Sequence, residues 1–363
     1  MPSIFNIDND EWRTGEGSLI LGQAPGLYDS INVRHPPLFN LYKLQKSMDW
    51  AEDEISLEQA RVDLATCPKA IRDIMLMNIA FQWPTDSVAA RSVAPLFAPF
   101  ITNSEFWAGM LKNCEIEVLH ALTYSEIVRQ CIPDPTEAFE LILKNDEVMV
   151  RLAPVLKHFE ALAKAGAEYN LGIRKNDQET YNIVMTALVA LYVMERLQFM
   201  SSFAHTFAVV EQGYALPIGK YVQKIMLDEL TCHSELIRTA LEIEFKTARG
   251  QIFLEQCRDI IDSIFYTIRQ CEYDWNAHTF SEGRSIVGLN ENLANGWSDH
   301  NAYFVAVVLR IDFPFVPNPL KYMDNWIDID KIQNAQQEES GNNYALNSVV
   351  DDMTEDEIFA FEE

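Results

Sequence analysis

The chain has 363 residues, of which 48% are hydrophobic, and a formal net charge of −26 at pH 7. This length is enough to bury a large core, as one extended domain or two. The negative charge argues against nucleic-acid binding, which needs a basic surface. We find no apolar run long enough to cross a bilayer and no secretory signal at the start, so neither membrane insertion nor secretion is expected.

The cysteines favour a reducing compartment. None of them forms a Cys-x-x-Cys pair, so the sequence predicts neither a zinc cage nor a disulfide framework. A cytoplasmic location fits this usage best. The six are spread thinly along the chain: Cys67, Cys114, Cys131, Cys232, Cys257 and Cys271.

Helix signals follow one another along most of the chain, and strand-like alternation is scarce. Caps and breakers predict helices over about 68–86, 103–131, 136–171, 178–212, 217–245, 251–277 and 297–311. The predicted caps are Asn103 or Ser104, Thr136 and Asp177, and Pro217 is a favourable first-turn residue. A turn-rich stretch covers about 281–296, and we detect no repeat. The sequence predicts an all-α fold with one helical bundle domain over residues 1–331.

An acidic segment ends the chain. After Lys331 there is no Lys or Arg, but there are nine acidic residues. Gln, Asn and Ser are also frequent in this segment. Such a segment cannot bury enough apolar surface to offset its chain entropy, so residues 332–363 are predicted to form a flexible tail. Its apolar run Ile358–Phe361 has two interpretations: stray residues in a solvated tail, or a docking peptide that a partner binds.

The most informative motif is Glu117-x-x-His120-x-x-x-Tyr124, followed about a hundred residues later by Glu195 and then by Asp228-Glu229 with His233. Residues three or four apart share one face of a helix. A Glu-x-x-His pair by itself is more often a surface pair than a ligand pair. Here, however, three acidic residues interrupt apolar helical segments, and charged groups in a core are costly unless paired or bound to metal. The pattern therefore indicates a shared inward site.

Such facing helices are typical of a two-metal site in a helical bundle. Oxygen and imidazole ligands favour iron or manganese over copper or a structural zinc. The predicted ligands form two sets: Asp86, Glu117 and His120 for one metal, and Glu195, Glu229 and His233 for the other.

The chain resembles the small, radical-generating subunit of class I ribonucleotide reductase over nearly its whole length. Each motif is weak alone, and the resemblance rests on their order and spacing. The matching blocks are Met48-Asp49-Trp50, Asp86-Ser87, Arg91-Ser92, Glu117 to Ile127, Glu195 to Ala204, Ile225, Asp228-Glu229, and an acidic tail that contains Tyr344. This resemblance implies a ferritin-like bundle with a dimetal carboxylate site.

The resemblance also implies residue roles. Tyr124 resembles the tyrosine that is oxidised to a stable radical, although its pattern alone fits an ordinary core tyrosine. Phe199, Phe203 and Ile225 resemble the apolar pocket around the radical, although spacing alone makes them core residues.

Electron transfer is implied for three further residues. Trp50 and Asp228 resemble an electron relay to His120, although Trp50 alone reads as a packing residue. Tyr344 resembles the redox tyrosine that connects the two subunits, although alone it is one aromatic in a flexible segment.

One departure concerns the second metal pair. The family pattern is Asp-Glu-x-x-His, and here Cys232 occupies the histidine position while His233 follows one residue later. Separations of three and four both leave a side chain on one helical face, and a π bulge would also bring His233 inward. We favour His233, because a thiolate beside an oxygen-activating centre would be oxidised.

The implied function is that of the small subunit of ribonucleoside-diphosphate reductase. Two Fe or two Mn ions per chain would activate oxygen and oxidise Tyr124, and the radical would pass to a cysteine of a separate large catalytic subunit. The implied partners are a second copy of the chain, as a homodimer, and that large subunit, which the tail would bind. Another ferritin-like dimetal oxidase or oxygenase remains an alternative, as does a metal-free scaffold with a partner-recruiting tail.

Overall fold

A computed structural model describes residues 6–9, 18–23, 26–28, 30–136, 139 and 146–328. Across these residues the chain is a bundle of α-helices, and the only β pairings there are the isolated bridges Ile20–Ile101 and Ile286–Leu289. The predicted all-α fold is confirmed. The predicted tail, with Tyr344, lies outside the described residues.

The first half of the bundle begins with α1 (Pro36–Ser47) and α2 (Glu58–Thr66). Two long helices follow, α3 (Lys69–Phe97) and α4 (Ser104–Cys131), which pack side by side. The predicted end of α3 near Asp86 was wrong, because the helix continues through Pro84 and Pro95 to Phe97. The buried contacts of α3 outweigh the hydrogen bonds that the two prolines remove. Of the two caps predicted for α4, Asn103 is confirmed, since its side chain accepts from the Phe106 N–H, and Ser104 is the first residue of the helix.

The middle of the chain contains α5 (Asp146–Asn170) and α6 (Gln178–Val193), whose Asp177 cap accepts from the Thr180 N–H. A π-helical segment, Met194–Gln198, follows and leads into α7 (Met200–Glu211). Then α8 (Leu216–Asp228) passes through a second π segment, Glu229–His233, into α9 (Ser234–Glu244). Each of the two predicted long helices is therefore interrupted by one wide turn.

The last part of the described chain contains α10 (Ala248–Gln256), α11 (Arg258–Thr279), α12 (Glu291–Leu309) and α13 (Met323–Ile327). The single helix predicted over 251–277 was wrong, because the chain breaks at Cys257 between α10 and α11. The prediction for α12 began too late, since the Asn290 side chain caps this helix by accepting from the Leu293 N–H.

The expectation that no apolar run could cross a bilayer needs a correction. The continuous helical stretch Gln178–Glu211 is long and apolar enough to do so, but 89% of its most apolar window is buried inside the bundle. This burial is typical of the core helix of a soluble protein.

Close packing brings the site-bearing helices together. Gly109 of α4 lies against Leu236 of α9, where a Cβ atom would approach the Leu236 Cδ1 to 2.6 Å. The absence of a side chain at this position therefore lets α4 approach α9. Glu117 and His120 on α4 consequently face the second π segment, which leads directly into α9.

Candidate metal centre

Four stretches of the bundle direct acidic and imidazole side chains into one interior pocket. One side chain comes from α3, two from α4, one from the first π segment and two from the second. Each is at most 2% exposed to solvent. They are Asp86, Glu117, His120, Glu195, Glu229 and His233.

These side chains form two overlapping groups, each with ligand atoms within 4.8 Å of one another. One group contains Asp86, Glu117 and His120. The other contains Glu117, Glu195, Glu229 and His233. The Nδ1 of His233 lies 3.1 Å from Glu117 Oε1 and 3.0 Å from Glu229 Oε2. Glu117 is thus common to both groups.

The polar atoms of this cluster fit a pair of cations. Buried polar atoms are normally hydrogen-bonded, but several here have no such partner. These are both carboxylate oxygens of Asp86, one oxygen each of Glu117, Glu195 and Glu229, the Nδ1 of His120 and the Nε2 of His233. Oxygen and imidazole donors favour iron or manganese, so the residues present are chemically suited to hold either metal.

Burial governs the protonation of the cluster. Burial and the Glu117 carboxylate raise the pKa of Asp86 well above its usual range. Burial and the Glu229 carboxylate do the same to the pKa of Glu195. Burial would also raise the pKa of Glu229, but the His233 and His120 imidazoles outweigh it and hold that pKa below its usual range. In the absence of a metal ion, protons would occupy part of the cluster.

The two histidines follow the opposite pattern. Burial acts to lower the pKa of His233, but the Glu229 and Glu117 carboxylates outweigh it and raise the pKa to about 10. The pKa of His120 also lies well above its usual range, since the nearby carboxylates of Asp228, Glu117 and Glu229 outweigh its burial. A cation that enters this pocket must therefore displace protons.

A hydrogen-bonded chain connects the cluster to Trp50. The Trp50 indole N–H donates to Asp228 Oδ2 at 2.8 Å, and the same oxygen lies 3.1 Å from His120 Nε2. This contact leaves the His120 Nδ1 facing the cluster, 3.3 Å from Glu229 Oε1. A carboxylate behind a metal-ligating histidine fixes the orientation of its ring. Trp50 itself is only partly buried, so the chain extends toward the surface.

Tyr124 is a buried phenol beside the cluster. It is fully buried, and its hydroxyl has no hydrogen-bond partner among the described residues. Burial, reinforced by the charges of Asp86, Glu229 and Glu117, raises its pKa well above its usual range. The phenol therefore stays neutral.

The three pocket residues named from the sequence lie in the same apolar core as Tyr124. Phe199, Phe203 and Ile225 are each at most 1% exposed. The rings of Phe199 and Phe203 stack with centroids 5.8 Å apart. Water is therefore excluded from this part of the core.

The second π segment contains both candidate ligands, Cys232 and His233, and places them differently. His233 contributes to the ligand group, and Cys232 does not. The Cys232 thiol lies 3.7 Å from the Met48 sulfur, and burial raises its pKa to about 12. It is therefore a neutral thiol that packs away from the ligand atoms.

Sequence reasoning missed a buried ion pair near the cluster, Arg151–Glu272, whose guanidinium and carboxylate lie 2.7 Å apart. A signal was present, because each residue interrupts an apolar helical stripe. Arg151 lies between Val148 and Val155 on α5, and Glu272 follows Ile268 on α11.

Comparisons with known proteins agree with this geometry. A sequence model of the family described as "Ribonucleotide reductase, small chain" matches residues 28–315. The chain is 24% identical over 358 residues to the ribonucleoside-diphosphate reductase subunit beta of Buchnera aphidicola subsp. Schizaphis graminum, covering 94% of this chain and 95% of that one. It is 23% identical to subunit beta of ribonucleoside-diphosphate reductase 1 from Escherichia coli O157:H7, covering 89% of each chain.

Solved structures show the same fold. A ribonucleotide reductase R2 subunit from Clostridium botulinum superposes with a TM-score of 0.77 at 19% identity, over 90% of this chain and 98% of that one. A dimanganese(II) NrdF protein from Streptococcus sanguinis gives a TM-score of 0.59 at 14% identity, over 83% of this chain and 100% of that one. With the family match over most of its length, the chain belongs to the small-chain family of ribonucleotide reductase.

Proposed function

We propose that the cluster binds two redox-active ions and that the chain uses them to generate and store a radical on Tyr124. The observation that carries this proposal is the neutral, buried phenol next to two overlapping ligand groups that share Glu117. The cofactor is two iron or two manganese ions per chain. The supporting argument is the donor chemistry, because carboxylates can bridge two ions and change binding mode as the oxidation state changes.

The proposed ligands divide by the element that carries them. Asp86, Glu117 and His120 hold one ion from α3 and α4. Glu195, Glu229 and His233 hold the other from the two π segments, and π turns are frequent at functional sites. When bound, the ions supply the capacity to reduce an oxygen species and to take one electron from Tyr124.

The chain's own groups then protect and transmit the radical. Oxidation would remove one electron from Tyr124, and the oxygen species that is reduced would take up the hydroxyl proton. The apolar pocket of Phe199, Phe203 and Ile225 would keep small reductants away. The Trp50–Asp228–His120 chain provides the route from the cluster toward the surface. From there we propose that Tyr344, in the tail outside the described residues, continues the route to the large catalytic subunit.

The proposed assembly has two interfaces. The tail, residues 332–363, would bind the large subunit, where ribonucleotides are reduced, and the chain would be inactive alone. A second copy of the chain would pack on α4, which exposes three apolar side chains along one side of the helix. Leu111, Val118 and Leu122 are 48%, 46% and 48% exposed, and exposed apolar side chains that share one side of a helix favour a protein interface. The proposed location is the cytoplasm.

Metal affinity should depend on pH. Because the pKa of His233 is about 10 without metal, an ion must displace its proton at neutral pH. We expect the apparent affinity for Mn²⁺ to increase as the pH rises from about 6 to about 8, with net proton release. An indicator dye in weak buffer measures the protons that Mn²⁺ releases from chelator-treated protein. His278→Gln, outside the cluster, is the control, and binding without proton release would contradict the assignment.

The two candidate ligands in the second π segment can be separated by metal counting. His233→Ala should lose at least one bound ion, because it removes an imidazole from the ligand group. Cys232→Ala is the matched neighbour and should keep both ions. Elemental analysis after reconstitution measures this content, and the reverse pattern would show that Cys232 is the ligand.

The radical assignment predicts a specific spectrum. After reconstitution with Fe²⁺ and oxygen, the unmodified chain should give a tyrosyl signal by electron paramagnetic resonance, and Tyr124→Phe should lose it while both ions remain bound. Tyr192→Phe, which alters another buried tyrosine, should keep the signal. A tyrosyl signal that persists in Tyr124→Phe would place the radical elsewhere.

The proposed tail function predicts two different defects. Deleting residues 344–363 should abolish ribonucleotide reduction with the large subunit and weaken binding to it, while metal content is unchanged. Tyr344→Phe should abolish turnover but preserve binding, because only the redox-active hydroxyl is lost. Turnover assays and a binding titration distinguish the two defects, and full turnover by the deletion variant would refute the docking role.

A further inference from the structure

Outside the metal cluster, the bundle buries another pair of opposite charges. Arg151 of α5 is 2% exposed and Glu272 of α11 is fully buried. Their contact is bidentate, with Nε and Nη2 of Arg151 each 2.7 Å from a carboxylate oxygen of Glu272. Burying such a pair has a large desolvation cost and often adds no net stability. Its geometry therefore deserves a functional explanation.

Arg151 is bonded directly to the first π segment. Its Nη2 donates to the carbonyl of Gln198, the last residue of Met194–Gln198, while the Gln198 side-chain amide donates to the Arg151 carbonyl. The two residues thus exchange hydrogen bonds in both directions. Since Glu195 lies three residues earlier in the same short segment, a constraint at Gln198 also restrains Glu195.

The guanidinium also packs against two neighbouring aromatic rings. Its central carbon lies 3.5 Å from the Phe81 ring centroid and 4.7 Å from that of Trp275. Glu272 fixes the edge of the same plane. The two ring contacts and the Glu272 carboxylate together restrict the orientation of this planar cation, and in that orientation Nη2 points at the Gln198 carbonyl of the π segment.

We infer that Arg151, oriented by Glu272, is a positioning residue that fixes the π turn and so sets the Glu195 carboxylate at its metal position. The wide turn is an uncommon conformation, and a charge-assisted hydrogen bond to its last carbonyl stabilises it. This inference rests on the proposed function, because it concerns a metal ligand.

The structure predicts that the effect is selective. Glu195 belongs to the ligand group that contains Glu229 and His233. Asp86 and His120 belong to the other group and are carried by α3 and α4, which lie outside the π segments. Loss of the ion pair should therefore weaken one metal position and spare the other, whereas a general loss of stability would affect both.

The test uses the full-length chain and Mn²⁺ as the probe. In the double variant Arg151→Met with Glu272→Leu, both charges are replaced by apolar groups, so no unpaired charge is left in the core. We expect the first Mn²⁺ to bind as in the unmodified chain and the second to bind at least about tenfold more weakly, the usual size of an effect from a residue that orients a ligand. The electron paramagnetic resonance signal of free Mn²⁺ gives the binding curve.

A matched control is available on the same helix. Arg269 and Asp299 form a bidentate pair, at 2.6 and 2.9 Å, that joins α11 to α12. The variant Arg269→Met with Asp299→Leu should leave both Mn²⁺ affinities unchanged. If the Arg151 variant fails to fold, Gln198→Met removes one of the reciprocal bonds with the ion pair intact, and it should weaken the second Mn²⁺ in the same direction.

The outcomes are distinct. Two unchanged affinities in a folded Arg151 variant, or equal weakening at both positions, would overturn the positioning role while leaving the metal assignment intact. Failure of the unmodified chain to bind Mn²⁺ would instead overturn the proposed function, and this inference with it.

Discussion

The fold is built around the repulsion of four carboxylates that share one dry pocket. Asp86, Glu117, Glu195 and Glu229 are each at most 2% exposed, where charges of like sign interact strongly and cannot be screened by water. Two imidazoles offset part of this repulsion, and raised pKa values at Asp86 and Glu195 offset more. A pair of divalent cations would replace those protons and neutralise the whole set. The charge and donor chemistry of the pocket therefore suit the proposed pair of ions.

The convergence of these side chains on one pocket explains why two otherwise regular helical stretches each contain a π segment. Both π segments carry proposed metal ligands: Glu195 lies in the first segment, and Glu229 and His233 lie in the second. A wide turn is less stable than an α-helical one, and such turns are frequent at functional sites. Surrounding packing must therefore maintain them. The close approach of α4 to α9 at Gly109 and the contact of Arg151 with Gln198 are two such restraints.

The cluster is also connected to its surroundings in a directional way. On one side lies the apolar core with the phenol of Tyr124, where nothing among the described residues bonds to the hydroxyl. On the other side His120 is bonded through Asp228 to Trp50, which is only partly buried. The Tyr124 side is therefore enclosed by apolar core, and the Trp50 side is connected by hydrogen bonds toward the surface. This asymmetry suits a centre that keeps an oxidising equivalent and releases it along one route.

By itself, the sequence determined the all-α fold, the cap at Asp177 and the inward placement of Glu117, Glu195 and Glu229, because helical spacing and apolar context are local properties. Only the tertiary structure decided that α3 continues past Pro84, that the chain breaks at Cys257 and that Arg151 pairs with Glu272. These features depend on contacts between residues distant in the chain. The same holds for His233 facing the cluster while Cys232 packs against Met48, since a wide turn and a regular turn have similar sequences and differ in their packing.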